Sequence, residues 1–442
     1  MKNIFTESDR EYIWSLYNKL QDSDFENRFY DEKINITNDR PEYSRDYARI
    51  LYSSSFRRLQ GKMQILGVET TAFFRNRLTH SLEVAQIAKS IARILSELCG
   101  VKDNKRMYQD KELCLLDAAA LAHDIGHPAF GHKGERVLNS IAEKYKLRFE
   151  GNAQNYRVLN FLDRHGSSCE GLNLTYRTLL AINKYIVKEK KSVKKFMYSN
   201  DYDDLIIFRK EHNIEKERTL DVQIIELADD IAYVVHDLED ALSLNLSTLD
   251  EILFEIGQKS KKANELLKEK IKQADNDIRS TCGIRNVQEY SHLLKKRLTS
   301  LLTDNFIRNL AVVELNKEQC KKYGINNNSK ELSMSDEYRT LCKCLKETIF
   351  TCAMRKSNIA LYEAKGEIIL NTLFDIYFNE KINKEYNLLP LDYKPTENDE
   401  RIDIVRHILD YLAGMMDTYA ISEYEKLTGI TYDKINIATS HN

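Results

Sequence analysis

Four of the ten histidines lie between positions 80 and 132, and three of those fall in one ten-residue stretch, HDIGHPAFGH (123–132). A His-Asp neighbour pair means little alone, and the chain supplies its own control in His236-Asp237. The pair His123-Asp124 differs in its setting. It closes the nearly apolar run LCLLDAAALAH, where an imidazole and a carboxylate are costly unless paired or bound to a metal. Gly126 and Gly131 follow it, and glycines let the backbone turn tightly. A mixed imidazole and carboxylate set suits a divalent ion such as Mn, Fe, Co, Ni or Mg.

Such an ion needs donors from elsewhere in the chain. His80 opens an amphipathic segment, and it faces the end of the apolar run if the two helices pack antiparallel. A helix-start histidine bonded to backbone is the plain alternative. In residues 221–242, Glu226, Asp229, Tyr233, His236, Asp237 and Asp240 share one helical face, roughly opposite Leu227, Ile231, Val234 and Leu238. That stripe is either a solvated acidic face or the source of a further ligand, with Asp229-Asp230 the suggestive pair. His132 and Glu135 are three apart, so on a helix both project to one side. A carboxylate beside an imidazole fixes its tautomer and raises its basicity, which proton transfer to or from water or a leaving oxygen requires. Two unrelated surface residues are the alternative.

These residues ride on helices. Val84, Ile87, Ala88, Ile91, Ile94, Leu95 and Leu98 recur at helical spacing from His80 to Leu98, and Gly100 is placed to stop them. Lys111–Asp124 reads as a central, buried helix ended by Gly126 and Pro128. Arg45–Gln60 reads as one arginine-crowded helix, with Gly61 and Gly67 marking a turn. Beyond about residue 246 the chain is helical and charge-rich, and LDYKPTENDE (391–400) reads as a loop. Only DLIIF (204–208) offers a brief strand. The basic run VKEKKSVKKFM (187–197) is a solvated face or loop, or else a patch for nucleotide phosphates or nucleic acid.

Composition narrows the class. With 66 basic and 68 acidic residues the net charge is -2, unlike a dedicated nucleic-acid binder, which is usually visibly basic. Few breakers, 4 Pro and 15 Gly in 442 residues, favour an all-α fold. The eight cysteines, Cys99, Cys114, Cys169, Cys282, Cys320, Cys342, Cys344 and Cys352, form no CxxC pair. They read as reduced thiols of a cytoplasmic protein. The N-terminal MKNIFTESDREYIW has no apolar run and does not read as a signal peptide. No stretch approaches the ~18 apolar residues of a membrane helix. The expected organisation is an arm over 1–44, a core over 45–245, and a C-terminal helical region over 246–442 packed on that core.

Five segments then occur in order between residues 45 and 245: RDYARILYSSSFRRLQGKMQ, FFRNRLTHSLEVAQIA, LAHDIGHPAFGHKGERVLN, FEGNAQNYRVL and ELADDIAYVVHDLEDAL. Together they resemble the bacterial deoxyguanosine triphosphate triphosphohydrolase family of HD-domain phosphohydrolases. The resemblance implies an all-α HD-domain fold with additional C-terminal helices and one divalent metal ion per site. It assigns the metal to His80, His123, Asp124 and Asp229, choosing Asp229 over Asp230 because Tyr233 and Asp237 follow at the family spacing. It makes His132 and Glu135 the acid–base pair, with His127 a less uniform neighbour. It places Arg77 on a substrate phosphate, Asn152 near the phosphates, and Gln64, Tyr233 and Asp237 at the sugar and base. Gly67 and the loop VETTAFF depart from the family pattern, which leaves the preferred base open.

The activity implied is hydrolysis of a deoxynucleoside triphosphate, dGTP first, to deoxynucleoside and inorganic triphosphate. Relatives are commonly homo-oligomers, tetramers or hexamers, and some need a nucleotide activator. Deoxynucleotide balance and antiphage defence would use the same chemistry. Two other readings stand beside it: an HD-type phosphodiesterase, nucleotidase or single-strand exonuclease, and a nucleotide-sensing module that binds single-stranded DNA.

Overall fold

The computed structural model describes residues 5–31, 40–64, 75–164, 170–280, 283–354 and 357–437. Gly67, the VETTAFF loop, Cys169 and Cys282 lie outside them. In chain order the helices are α1 (Glu7–Asn18), α2 (Glu42–Tyr52), α3 (Ser54–Arg58), α4 (Arg77–Cys99), α5 (Asp110–Ala122) and α6 (Gly131–Lys144). Then come α7 (Gly151–Arg157), α8 (Tyr176–Ile182), α9 (Ser199–Glu211), α10 (Leu220–Ser243), α11 (Leu249–Lys259) and α12 (Lys261–Arg279). The last six are α13 (Val287–Arg308), α14 (Lys317–Tyr323), α15 (Asp336–Met354), α16 (Ser357–Phe378), α17 (Arg401–Ala413) and α18 (Asp417–Thr428). The all-α expectation holds. No helix among the described residues is long and apolar enough to cross a membrane.

The centre is built from the segments with the strongest periodicity. α4 is capped by Asn76, whose side chain accepts from the Thr79 N–H at 3.0 Å, and it stops at Gly100, φ +71°. α5 buries nearly every side chain from Leu115 to Ala122, as its composition requires. α10 buries Ile224, Ala228, Ile231, Val235 and Leu238 in this core, and α4 packs against both α10 and α5. Within the expected arm, α1 buries Ile13, Trp14, Leu16 and Tyr17 in this same core.

A second apolar core lies beside the first. Val137, Leu138 and Ile141 of α6 meet Ile369, Leu370 and Leu373 of α16 and Val405, Ile408 and Leu409 of α17. Helix α6 therefore belongs to the second core.

Three local expectations are corrected. Arg45–Gln60 is two helices, because Ser53 adopts φ -66°, ψ 150° and its hydroxyl accepts from the Phe56 N–H at 3.1 Å. Serine prefers such caps. DLIIF is helical within α9; a short apolar run does not distinguish strand from helix by period. The chain does contain strands, an antiparallel pair β1 (Leu310–Glu314) and β2 (Lys330–Met334) with Val312 opposite Leu332. Five residues each gave too short a pattern to read.

Candidate metal centre

Side chains from α4, α5 and α10 converge at one point. His80 leaves the first turn of α4, His123 caps the end of α5, and Asp229 comes from the middle of α10. His80 Nε2 lies 3.0 Å from Asp229 Oδ1, and His123 Nε2 lies 3.6 Å from the same oxygen. One ligand atom from each of the three falls within 4.8 Å of the others.

The imidazole of His123 is aimed by its own helix. Its Nδ1 donates to the Ala120 carbonyl at 2.6 Å. That leaves the Nε2 lone pair facing the carboxylates, with no hydrogen-bond partner among the described residues. A backbone bond on one ring nitrogen with the other turned to a cation is the usual arrangement of a metal-binding histidine. Burial disfavours charge on His123, yet Asp124 and Asp229 override it and push the imidazole up to about 9. Burial likewise opposes the charge on Asp229, but His123 and His80 hold it well below the usual carboxylate range. A site with this pull on a proton has the same pull on a divalent cation. The donor set and the orphaned Nε2 fit such an ion.

Asp124 stands one step back. Its Oδ1 is 3.7 Å from His123 Nε2 and 3.0 Å from His127 Nδ1, while Oδ2 is paired with Arg77. The sequence reading gave Asp124 to the metal and Arg77 to a phosphate; here each neutralises the other. Asp230, the rejected neighbour of Asp229, points away and pairs with Lys346 of α15 at 2.6 Å.

The proton-transfer candidates sit beside this cluster at the start of α6. Phe130 and Gly131 precede them in left-handed conformations, φ +60° and +56°. His132 Nδ1 is 3.4 Å from Glu135 Oε2, and the His132 side chain is 64% exposed. Glu135 Oε1 accepts from the Gly151 N–H at 3.2 Å and from Lys195 Nζ at 3.1 Å. Burial opposes its charge, but His132, Lys195 and the Gly151 amide hold the carboxyl well below its usual range. His127 is buried, its ring 6.1 Å from that of His132. A Cβ on Gly126 would lie 2.1 Å from the Asn155 amide nitrogen, so only glycine lets this turn pack on α7.

The remaining predicted residues divide. Asp237 is buried with Oδ2 unpartnered among the described residues, and burial with Asp240 nearby pushes its carboxyl well up. Gln64 Oε1 is also buried without a partner there. Tyr233 lies under Lys346, whose Nζ is 4.9 Å from the ring centre. Asn152 donates to Glu150 at 2.7 Å, on the oxygen that also accepts from Lys195.

Sequence reasoning missed two lysines near this cluster, Lys184 and Lys346, and marked Lys195 only as part of the basic run. Lys184 pairs with Glu226 at 2.9 Å, Lys195 with Glu150 at 2.6 Å, and Lys346 with Asp230. Lys195 belongs to the basic run, whose Lys190, Lys191 and Lys194 are exposed.

Comparison with known proteins agrees with this architecture. Residues 77–234 match the HD domain family and residues 332–426 match the phosphohydrolase-associated domain. A deoxyguanosinetriphosphate triphosphohydrolase-like protein 2 of Vibrio cholerae is 41% identical over 92% of this chain and 93% of its own length. A deoxyguanosinetriphosphate triphosphohydrolase-like protein of Shewanella pealeana is 31% identical over 91% of the chain and 95% of its own length. One of Deinococcus radiodurans is 31% identical over 88% and 92%. The chain belongs to the deoxyguanosinetriphosphate triphosphohydrolase-like family of HD-domain hydrolases.

Proposed function

We propose that the protein is a metal-dependent deoxynucleoside triphosphate triphosphohydrolase, with dGTP the first substrate to test. The observation that carries this reading is the juxtaposition of three chemistries: the His80–His123–Asp229 donor group, the His132–Glu135 pair, and four cations from α4, the α8–α9 connection and α15.

His80, His123 and Asp229 would hold one divalent ion, with Asp124 joining them once Arg77 turns to a phosphate. When bound, that ion would supply Lewis-acid polarisation of water and of a phosphoryl oxygen. Arg77, Lys184, Lys195 and Lys346 offer charge for a polyphosphate, each now held by a carboxylate it can exchange. Glu135 keeps the His132 Nδ1 side bonded, so Nε2 is the nitrogen free to exchange a proton with the reacting oxygens. In this reading His132 hands its proton to the deoxynucleoside 5'-oxygen as that oxygen leaves the α-phosphorus. Tyr233, Asp237 and Gln64 would read sugar and base; the orphaned oxygens of Asp237 and Gln64 support that role, because buried acceptors demand donors. Asn152 shares the Glu150 carboxylate oxygen with Lys195 and would stand with it near the phosphates.

The test is product analysis with Mn or Mg and each deoxynucleoside triphosphate, singly and mixed. Inorganic triphosphate plus free deoxynucleoside is expected. Activity confined to mixtures would add a nucleotide activator. Monophosphate products, or tight single-strand binding without turnover, would replace this reading with the phosphodiesterase or sensor one.

A further inference from the structure

Behind the candidate site lies a buried carboxylate that the reaction does not touch. Asp417 is the first residue of α18 and only 1% exposed. Its Oδ1 accepts from the Phe130 N–H at 3.1 Å. Its Oδ2 accepts from the Met63 N–H at 3.0 Å and the Tyr362 hydroxyl at 2.7 Å. Both backbone donors neighbour site residues. Phe130 is two residues before His132, and Met63 immediately precedes Gln64.

Lys62 makes a second link from the same turn. It is buried, and its Nζ donates to the His127 carbonyl at 2.5 Å and the Ala413 carbonyl at 2.9 Å. The Lys62–Met63 segment is tied onward to the start of α4: the Arg77 N–H donates to the Lys62 carbonyl at 3.0 Å, and Met63 bridges Asn76. Packing leaves little slack. A Cβ on Gly61 would lie 2.5 Å from Met416 Sδ, and one on Gly366 would lie 2.6 Å from Phe130 Cγ.

We infer that Asp417, with Lys62, is a positioning residue: the turn 413–417 grips the Gln64–Arg77 side and the His127–His132 side of the site and sets the distance between them. Neither residue is a catalytic residue, because neither reaches the cluster of donors. The metal ligands His80, His123 and Asp229 stand on helices of the first core, and the side-chain bonds of Asp417 and Lys62 go instead to Phe130, Met63, Tyr362, His127 and Ala413. Two predictions separate from each other for that reason: loosening the turn should slow turnover and leave metal binding alone.

Asp417→Asn keeps the shape but turns one oxygen into a donor, so at least one of the three bonds must break. A displacement of about 1 Å between reacting groups costs about 100-fold in rate. The inference rests on the functional reading above, so the wild-type product assay comes first. The experiment then compares kcat, KM and Mn affinity of wild type, D417N and Tyr362→Phe, with a crystal structure of D417N. Expected for D417N is a kcat 10- to 100-fold lower, with KM and Mn affinity within about twofold, and His132 displaced relative to Gln64. Y362F removes only the hydroxyl donor and should match wild type. Should D417N not accumulate as folded protein, Lys62→Met removes the other link and is read the same way. An undisturbed His132, or wild-type kcat in D417N, overturns the inference. So does a loss of Mn affinity that parallels the loss of rate. An inactive wild type overturns the functional reading alone, since the position of His132 in D417N is read without turnover.

Discussion

Glu135→Gln tests the proton-transfer half of the site without disturbing the metal half. The carboxylate accepts three bonds, from His132, the Gly151 amide and Lys195. A glutamine has one acceptor oxygen. With its oxygen toward His132, its NH2 group faces the Gly151 N–H and the Lys195 ammonium. With the amide flipped, it faces His132. Either way donor meets donor, and at least one charge-assisted bond, worth roughly 1.5–3 kcal/mol, is lost. If that loss falls on the orientation of His132 it lowers kcat by about 10- to 150-fold. Glu135 is absent from the His80–His123–Asp229 group, so Mn affinity should be unchanged. Steady-state rates of triphosphate release, with metal affinity by calorimetry on the same preparation, decide it. A variant within threefold of wild-type kcat would remove the pair from the mechanism. Equal losses of rate and metal would instead make Glu135 part of the metal site.

Other outcomes follow from the same geometry. Asp124→Ala should lower metal affinity by about 100-fold or more and abolish turnover, whereas His132→Ala should keep the metal and lose rate; metal content and rate measured together check both. Lys346→Met frees the Asp230 carboxylate beside Asp229 and removes a cation over Tyr233, so KM for the nucleotide should rise about tenfold; an unchanged KM refutes the phosphate role. Asp201 is pushed up to about 7, chiefly by burial. Its unfolded value is about 3.9, so the fold is favoured by the protonated form. The cost of charging it is absent below about pH 4 and grows as pH rises to about 7. Asp201→Asn should therefore raise Tm at pH 8, by up to a few kcal/mol of stability, and leave it unchanged near pH 4; thermal melts across that range measure it.

What was legible in the sequence was whatever a helix displays locally. His123 and Asp124 stood out because they close a run that can only be buried, and His132 with Glu135 because three residues make one side of a helix. The choice between Asp229 and Asp230 was not local. Adjacent residues point about 100° apart on a helix, and the separation became physical only when Lys346, over a hundred residues away, took up Asp230. Lys184 and Lys346 were illegible for a related reason. Among 66 basic residues nothing marks two whose partners come from distant elements. Asp417 gave no signal at all, since two of its three donors are backbone amides. Ser53 carried a visible cap signal in the run Ser53–Ser55, and the arginine-rich periodicity around it masked the break.

The two cores divide the chemistry between them. Every proposed metal donor stands on α4, α5 or α10, or on the residues that end α5, and these helices pack in the first core. The proposed proton donor stands on α6, whose other face belongs to the second core with α16 and α17. Metal affinity is therefore a property of the first core, while the approach of His132 to the reacting oxygens depends on how the second core is seated against it. Asp417 and Lys62 are polar links across that seam, and the buried Asp410 of α17 makes another with Gln154 and Arg157 of α7. Hydrogen bonds hold direction as well as distance, so they fix a separation that apolar contact alone would leave free to slide. The partition accounts for why substitutions at Glu135, His132 and Asp417 should share one phenotype, slow turnover with the metal retained. Asp124, at the end of α5, should show the other.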